Sequence, residues 1–270
     1  MSAEAENRTF YPHHQEGIEN LIRTYKNDDR FQALIIGGSV AKGLARPDSD
    51  VDFMMVATDA EFESRQNNRD FFINRTDLTH YPNGFVDGKI ISLDYLHHVA
   101  ENGNEPTRAA FDGAVIAFSK IRHLDGLLKD IGSYPEELRP EKIRKFYAMS
   151  FIQHWLMNEA DRHDNRYTKV RAASQLALFA GRLILAHNRV FFPYHKWFFE
   201  YLKKCPQKPL HFLDGLNRLL AEPNLENATH VFDDLRNFQD WGVTDIEAFT
   251  WFFEEVELAW MNGTINLEDW

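Results

Sequence analysis

The order of apolar and polar positions divides the chain into two parts with different periodicities. Up to about residue 120, short apolar runs predict strands at 32–36, 51–57, 89–96 and 114–118, and the segments around them, 13–29, 40–44, 59–73 and 97–112, have helical or mixed patterns. Beyond that point apolar residues recur at helical spacing in 141–161, 167–189, a segment starting at Pro193, 209–221, 223–240 and 244–261. We therefore expect an α/β (α+β) domain with a small mixed sheet over 1–120, followed by an all-α helical bundle over 121–270.

Two aspartates follow the turn between the first two predicted strands. The apolar run at 34–36 ends in Gly37-Gly38-Ser39, and after a polar loop Asp50-Val51-Asp52 leads into the next apolar run. Because side chains alternate along a strand, Asp50 and Asp52 are expected on one face. Two neighbouring carboxylates repel each other unless a cation lies between them. Mg²⁺ suits such a position, since it is often held by one or two carboxylates together with substrate phosphates.

The turn itself has the properties of a phosphate-binding loop. Glycine lets the backbone approach a ligand closely and adopt positive φ, and successive amide groups in such a turn attract anions. Ser39 adds a hydroxyl and Lys42 a positive charge. Either motif alone is ordinary turn chemistry. Their combination predicts metal-assisted phosphoryl or nucleotidyl transfer.

The first half of the chain resembles the polymerase-β-type nucleotidyltransferase superfamily, whose signature is Gly-Gly-Ser, a polar spacer and Asp-x-Asp. The matching positions are Gly37, Gly38, Ser39, Lys42, Gly43, Ser49, Asp50 and Asp52. The resemblance implies that Asp50 and Asp52 bind two Mg²⁺ ions and that the glycine turn and Lys42 contact the NTP. The family also uses a third carboxylate on a neighbouring strand. Asp94, in the strand predicted over 89–96, fits that position as a metal ligand or as the base.

The second half is similar to the helical C-terminal domains of small-molecule nucleotidyltransferases, including the kanamycin nucleotidyltransferase type. The likeness lies in the helix order and in the segment 191–197, where Lys196 stands among aromatic residues. Lys196 is either a triphosphate contact across an interdomain cleft or a lysine at the rim of an aromatic core. In antibiotic-modifying members a carboxylate of the helical domain is the general base. Glu159, Asp161 and Asp164 are candidates for that role by residue type only.

Two other functional classes stay open from the sequence. Some members of the superfamily are non-catalytic, antitoxin-like NTP-binding regulators, although the set Asp50, Asp52 and Asp94 is intact here. Arg182 and His187 form an R-x₄-H pattern that resembles the motif of the helical HEPN ribonucleases. The same pattern arises readily in any helix.

Composition restricts the partners and the compartment. The 270 residues are 44% hydrophobic, which is enough for two cores, and the net charge of −11 argues against a nucleic acid as substrate. The single cysteine, Cys205, excludes an internal disulfide. With no long apolar stretch and a polar, acidic N-terminal segment, we expect a cytoplasmic protein without membrane association. The histidines have no zinc-ligand spacing, and the oligomeric state is open.

These observations predict a nucleotidyltransferase enzyme. It would move a nucleoside monophosphate, AMP from ATP as the first expectation, onto a hydroxyl of a small acceptor such as an aminoglycoside-like antibiotic, releasing pyrophosphate. The predicted catalytic and metal-binding residues are Asp50, Asp52 and Asp94. The predicted nucleotide-binding residues are Gly37, Gly38, Ser39, Lys42 and Lys196.

Overall fold

The structure, a computed structural model, describes residues 10–263, with the exception of the Asn262 side chain. It divides into two compact units between Ser133 and Tyr134. The elements of the first unit, in chain order, are α1 (Pro12–Tyr25), β1 (Phe31–Ile36), α2 (Gly38–Ala41), β2 (Val51–Ala57), α3 (Asp59–Asn68), β3 (Phe72–Arg75), β4 (Val86–Ile91), α4 (Leu93–Asn102), α5 (Glu105–Ala110), β5 (Val115–Ser119) and α6 (Leu124–Gly132).

The strands of the first unit form one mixed sheet. Within residues 10–263 its order is β3-β4-β2-β1-β5. Strand β1 is antiparallel to its neighbours β2 and β5, β3 is antiparallel to β4, and the central strand β2 is parallel to β4. The register of the parallel pair places Asp52 opposite Asp87. Because β2 and β4 are parallel, their N-terminal ends lie at the same edge of the sheet.

Helices cover both faces of this sheet. On one face, Phe53 and Met55 of β2 pack in a core with Ile18 and Leu21 of α1. On the other face, Val56 of β2 packs in a core with apolar residues of α4, α5, α6 and their connections, among them Leu96, Val99, Phe111, Leu124 and Ile131. Alternation along β2 places Asp52 on the second face, near its N-terminal end.

Helix α6 belongs to the first unit, whereas the boundary predicted after residue 120 assigned it to the helical half. Its Leu124 and Ile131 are buried in the second core. Arg108 fixes the segment further, because its buried guanidinium donates to the carbonyls of Ala100 (2.7 Å), Gly103 (3.0 Å) and Ile131 (3.2 Å). Buried carbonyls need such partners, so one side chain holds three segments together.

The described part of the second unit, residues 134–263, is built from helices and helical turns. They are α7 (Arg139–Arg162), α8 (Arg166–His187), α9 (Phe198–Lys204), α10 (Phe212–Ala221), α11 (Leu225–Phe238) and α12 (Asp245–Phe252), with 3₁₀ turns at Glu136–Leu138, His195–Trp197 and Ala259–Asn262 and a π-helical turn at Phe253–Glu257. Tyr147 and His154 of α7 stack on Phe232 of α11, with ring centroids 5.8 and 4.9 Å apart. Gly181 of α8 leaves space for the ring of Phe198, which a side chain at 181 would enter.

The predicted fold class is confirmed, with local errors in three segments. Strand β3 was missed, because the helix predicted over 59–73 ends earlier, at Arg69 in a left-handed conformation (φ 55°). The helix predicted from Pro193 begins as a 3₁₀ turn two residues later and becomes α-helical only at Phe198. The strand predicted over 89–96 ends at Ile91.

Candidate active site

The glycine turn between β1 and β2 is fixed against the second strand. The Gly37 amide donates to the Asp52 carbonyl at 2.9 Å, so this amide is already used within the fold. Gly38 has φ +60°, and a Cβ built there would lie 2.5 Å from Asp52 Cγ and closer still to Oδ2. Position 38 therefore requires glycine for two reasons, its left-handed backbone and its approach to the Asp52 carboxyl group.

Ser39 is the second residue of the short helix α2, and Lys42 directly follows that helix. Ser39 is 5% exposed, and its carbonyl accepts from the Leu44 amide at 2.9 Å. Lys42 Nζ donates to the Ala109 carbonyl at 2.7 Å. Burial lowers the pKa of Lys42, while the carboxylates of Asp112 and Asp52 raise it. The lysine charge thus interacts with the Asp52 carboxylate, and its role in nucleotide binding stays a prediction.

Three aspartates lie at or near the N-terminal ends of the parallel strands. Asp50 directly precedes β2, and Asp52 and Asp87 are the second residues of β2 and β4. All three side chains are half-buried. Asp52 and Asp87 are direct partners in the ladder, so parallel pairing puts both on the same face of the sheet. Asn74 of β3 donates a long hydrogen bond, 3.5 Å, to Asp87 Oδ1.

The position predicted for Asp94 on a strand is wrong. The chain leaves the sheet after Ile91, and the Ser92 hydroxyl accepts from the Tyr95 amide as the N-cap of α4. Asp94 lies in the first turn of this helix, 79% exposed, with its carboxylate 3.3 Å from His98 Nδ1. Leu96 and Val99 of α4 are buried, so the apolar positions follow the helical period rather than strand alternation. Asp87, rather than Asp94, is the ladder partner of Asp52 on the same face of the sheet.

The candidates in the second unit have local partners. Lys196 is exposed, with Nζ 5.2 Å from the centroid of the Trp197 ring. Of the three proposed bases, Glu159 pairs with Arg162 at 2.8 Å, and Asp161 and Asp164 both pair with Lys169, at 3.1 and 3.2 Å. The participation of Lys196 in nucleotide binding stays a prediction.

Arg182 and His187, the R-x₄-H pattern, are packed among aromatic rings. The Arg182 guanidinium lies 4.3 Å from the centroid of Phe146 and 5.0 Å from that of Phe192. His187 makes edge contacts with Phe238 and Trp241, both with centroids at 5.6 Å. Burial lowers the pKa of His187, and Arg139 lowers it further. Each of the two side chains therefore packs against its own set of aromatic rings.

The donor set of the first unit fits Mg²⁺ held jointly with a substrate. In the described part of the chain, no three or more His, Cys, Asp or Glu side chains are arranged to hold a metal ion by themselves. Mg²⁺ does not require such a set, because one or two carboxylates with substrate phosphates and water are a common arrangement. Asp52 and Asp87 supply two carboxylates on adjacent strands, and Gly38 keeps the space beside Asp52 free of a side chain.

A mixed sheet that presents carboxylates beside a glycine turn defines an α/β domain suited to handling a metal-bound polyphosphate. Residues 18–83 match the family model described as "Nucleotidyltransferase domain". This part of the chain is therefore similar to nucleotidyltransferase domains of the polymerase-β type. The match contains the glycine turn, Asp50 and Asp52, and it ends before Asp87.

The chain was also compared with solved structures and with curated proteins. The crystal structure of a nucleotidyltransferase-like protein from Exiguobacterium sibiricum 255-15 matches with a TM-score of 0.45 and 13% identity, covering 95% of this chain and 83% of that chain. Similarity at this level does not extend to function. None of the curated proteins compared with the chain matches it. No helix within residues 10–263 is long and apolar enough to cross a membrane.

Proposed function

We propose that the first unit transfers a nucleoside monophosphate from an NTP, with ATP as the first candidate, to a hydroxyl of a small acceptor. The reaction forms a phosphoester bond to the acceptor and releases pyrophosphate. The observation that carries this proposal is the pairing of Asp52 with Asp87 beside a glycine at position 38. The family match over 18–83 supports it.

Asp50, Asp52 and Asp87 are the residues that would hold two Mg²⁺ ions. Bound there, Mg²⁺ would neutralise the polyphosphate and stabilise charge that develops at the α-phosphate. Asp87 takes the role that the sequence suggested for Asp94, because it shares a sheet face with Asp52. Gly38 and Ser39 form the backbone turn against which the phosphates lie, and Lys42 supplies a positive charge close to Asp52.

The net charge of the chain supports a cationic acceptor. At −11, the protein as a whole attracts positively charged small molecules. An aminoglycoside-like antibiotic is therefore the first acceptor class to test, and the cytoplasm is the expected location.

The test is calorimetric titration with each of the four NTPs, with and without Mg²⁺. We expect Mg²⁺-dependent binding of at least one NTP by the wild type. Asp52→Asn and Asp87→Asn should each weaken it at least about tenfold, since each removes a charged metal ligand. Asp94→Asn is the matched control, because this carboxylate is exposed on α4 and should leave binding unchanged.

Each outcome tests a different part of the proposal. Equal binding by wild type and Asp52→Asn would refute the metal site. Loss in Asp94→Asn but not in Asp87→Asn would restore the assignment made from the sequence. Tight Mg²⁺-dependent binding without pyrophosphate release across a panel of hydroxyl acceptors would favour an NTP-binding regulator.

A further inference from the structure

A cluster of aromatic and imidazole rings packs against the loop that leads to Asp50. His13 and His14 belong to the first turn of α1, and Tyr81 belongs to the loop between β3 and β4. The centroid of the His13 ring lies 4.3 Å from that of His14 and 4.4 Å from that of Tyr81. Tyr11 stacks on His13 at 5.6 Å from the outer side. The start of α1 and the loop between β3 and β4, which are far apart in sequence, thus pack together against residues 47–50.

Three polar groups of this cluster bind main-chain carbonyls of the loop. His14 Nε2 lies 2.9 Å and the Tyr81 hydroxyl 2.7 Å from the carbonyl oxygen of Ser49. His13 Nε2 lies 2.9 Å from the carbonyl oxygen of Pro47. A carbonyl only accepts, so all three groups donate, and the Ser49 oxygen uses both of its lone pairs.

The Ser49 carbonyl belongs to the peptide group that contains the Asp50 nitrogen. Because a peptide group is planar, fixing this oxygen also fixes the direction of the bond from that nitrogen to the Asp50 Cα. The Asp50 carboxylate is close to the cluster. Burial raises the pKa of the Tyr81 hydroxyl, and the charge of Asp50 raises it further.

Burial of the His14 imidazole lowers the free energy of unfolding. Its side chain is fully buried, and Nδ1 has no hydrogen-bond partner among the described residues. With the proton on Nε2, Nδ1 is a buried acceptor that lacks a donor, which destabilises the folded state. A phenyl ring would bury no unpaired acceptor, but it could not donate to Ser49.

The turn that carries Tyr81 is shaped around its ring. A Cβ at Gly84 would lie 2.6 Å from Tyr81 Cε1, so the ring lies directly against the glycine. The Gly84 amide donates to the Tyr81 carbonyl at 2.9 Å, and the Thr79 hydroxyl donates to the Gly84 carbonyl at 2.6 Å. Tyr81 is therefore held in one orientation.

We propose that His14 and Tyr81 are positioning residues, which orient Asp50 for metal binding by fixing the Ser49 carbonyl. This inference rests on the proposed function, since it assigns Asp50 to the metal. Some groups fix the orientation of a metal ligand without binding the metal themselves. Removing such a group commonly weakens metal affinity about 10- to 100-fold. Both residues act through their contacts with the Ser49 carbonyl.

The test uses the full chain with Tyr81→Phe and His14→Phe, each of which keeps a ring and removes one donor. Tyr11→Phe is the matched control, since its hydroxyl makes no hydrogen bond to the loop within residues 10–263. The readouts are Mn²⁺ affinity by electron paramagnetic resonance in the presence of ATP, and amide hydrogen exchange of residues 47–52. His14→Gln, which restores an N–H donor, tests rescue.

We expect Tyr81→Phe and His14→Phe to weaken Mn²⁺ binding about tenfold or more, with faster exchange at 47–52. Binding should recover at saturating Mn²⁺ and partly in His14→Gln, which a general folding defect would not produce. Wild-type affinity in both variants would overturn the positioning role alone. A wild-type protein that binds neither Mn²⁺ nor ATP would overturn the proposed function and the positioning role together.

Discussion

The substitution Gly38→Ala tests the geometry of the site most directly. Alanine at this position keeps φ at +60° only with strain of about 1–2 kcal/mol, because its Cβ crowds the following carbonyl. The new Cβ would also lie 2.5 Å from Asp52 Cγ, whereas real Cβ contacts essentially never fall below 3.0 Å. The nearer carboxylate oxygen has to withdraw by about 2 Å to restore ordinary van der Waals contact.

A second glycine of the same loop, Gly43, provides the control. Alanine at this position has the same backbone strain but no new contact with a neighbouring atom. Gly43 has φ +68°, and a Cβ there meets nothing within 4 Å. Gly43→Ala should lower the free energy of unfolding by about 1–2 kcal/mol, from backbone strain alone. Gly38→Ala should lower it by about 1–3 kcal/mol more, the usual range for overpacking. Urea denaturation followed by circular dichroism measures both values.

The two variants should also differ in NTP turnover, and by a larger factor than their difference in free energy of unfolding alone would suggest. A catalytic group that is displaced by about 1 Å can lose about 100-fold in rate. We therefore expect Gly38→Ala to reduce NTP turnover about 100-fold, or Mg²⁺-dependent NTP affinity if the acceptor is still unidentified. Gly43→Ala should stay within about threefold of wild type, because its strain is not transmitted to Asp52. Equal losses in the two variants would refute the contact between position 38 and the Asp52 carboxylate as the cause.

Three further predictions concern other parts of the chain. Arg108→Met should lower the free energy of unfolding by about 3 kcal/mol or more, because it leaves several carbonyls without a donor; a change below about 1 kcal/mol in urea denaturation would contradict this. Burial lowers the pKa of His154, so the unfolded chain binds the proton more readily and stability should fall as pH drops below 6.5. His154→Phe keeps a ring beside Phe232 and should make the free energy of unfolding less dependent on pH between pH 7 and about pH 5. An unchanged pH dependence would refute the assignment of this effect to His154. Burial raises the pKa of the Cys205 thiol to about 11, so the native protein at pH 8 should react with a disulfide reagent far more slowly than the unfolded chain; equal rates would contradict the buried position.

Contiguous sequence determined the part of the site that depends on local spacing. The glycine turn, Asp50 and Asp52 lie within one short segment, and the apolar run that follows has the bounds of β2, Val51–Ala57. Turn chemistry and strand alternation act over a few residues, so their outcome can be predicted without knowing what packs around them. The change from a mixed α/β pattern to helices is similarly visible in the periodicity.

Only the tertiary structure decided which third carboxylate joins the site. Asp87 meets Asp52 through the parallel register of β2 and β4, a pairing between distant segments that no local pattern specifies. Asp94 was misplaced because Ile91, Leu93 and Tyr95 alternate as in a strand, while the Ser92 cap and the burial of Leu96 favour a helix. The period of a short apolar run is ambiguous, and packing against the sheet resolves it.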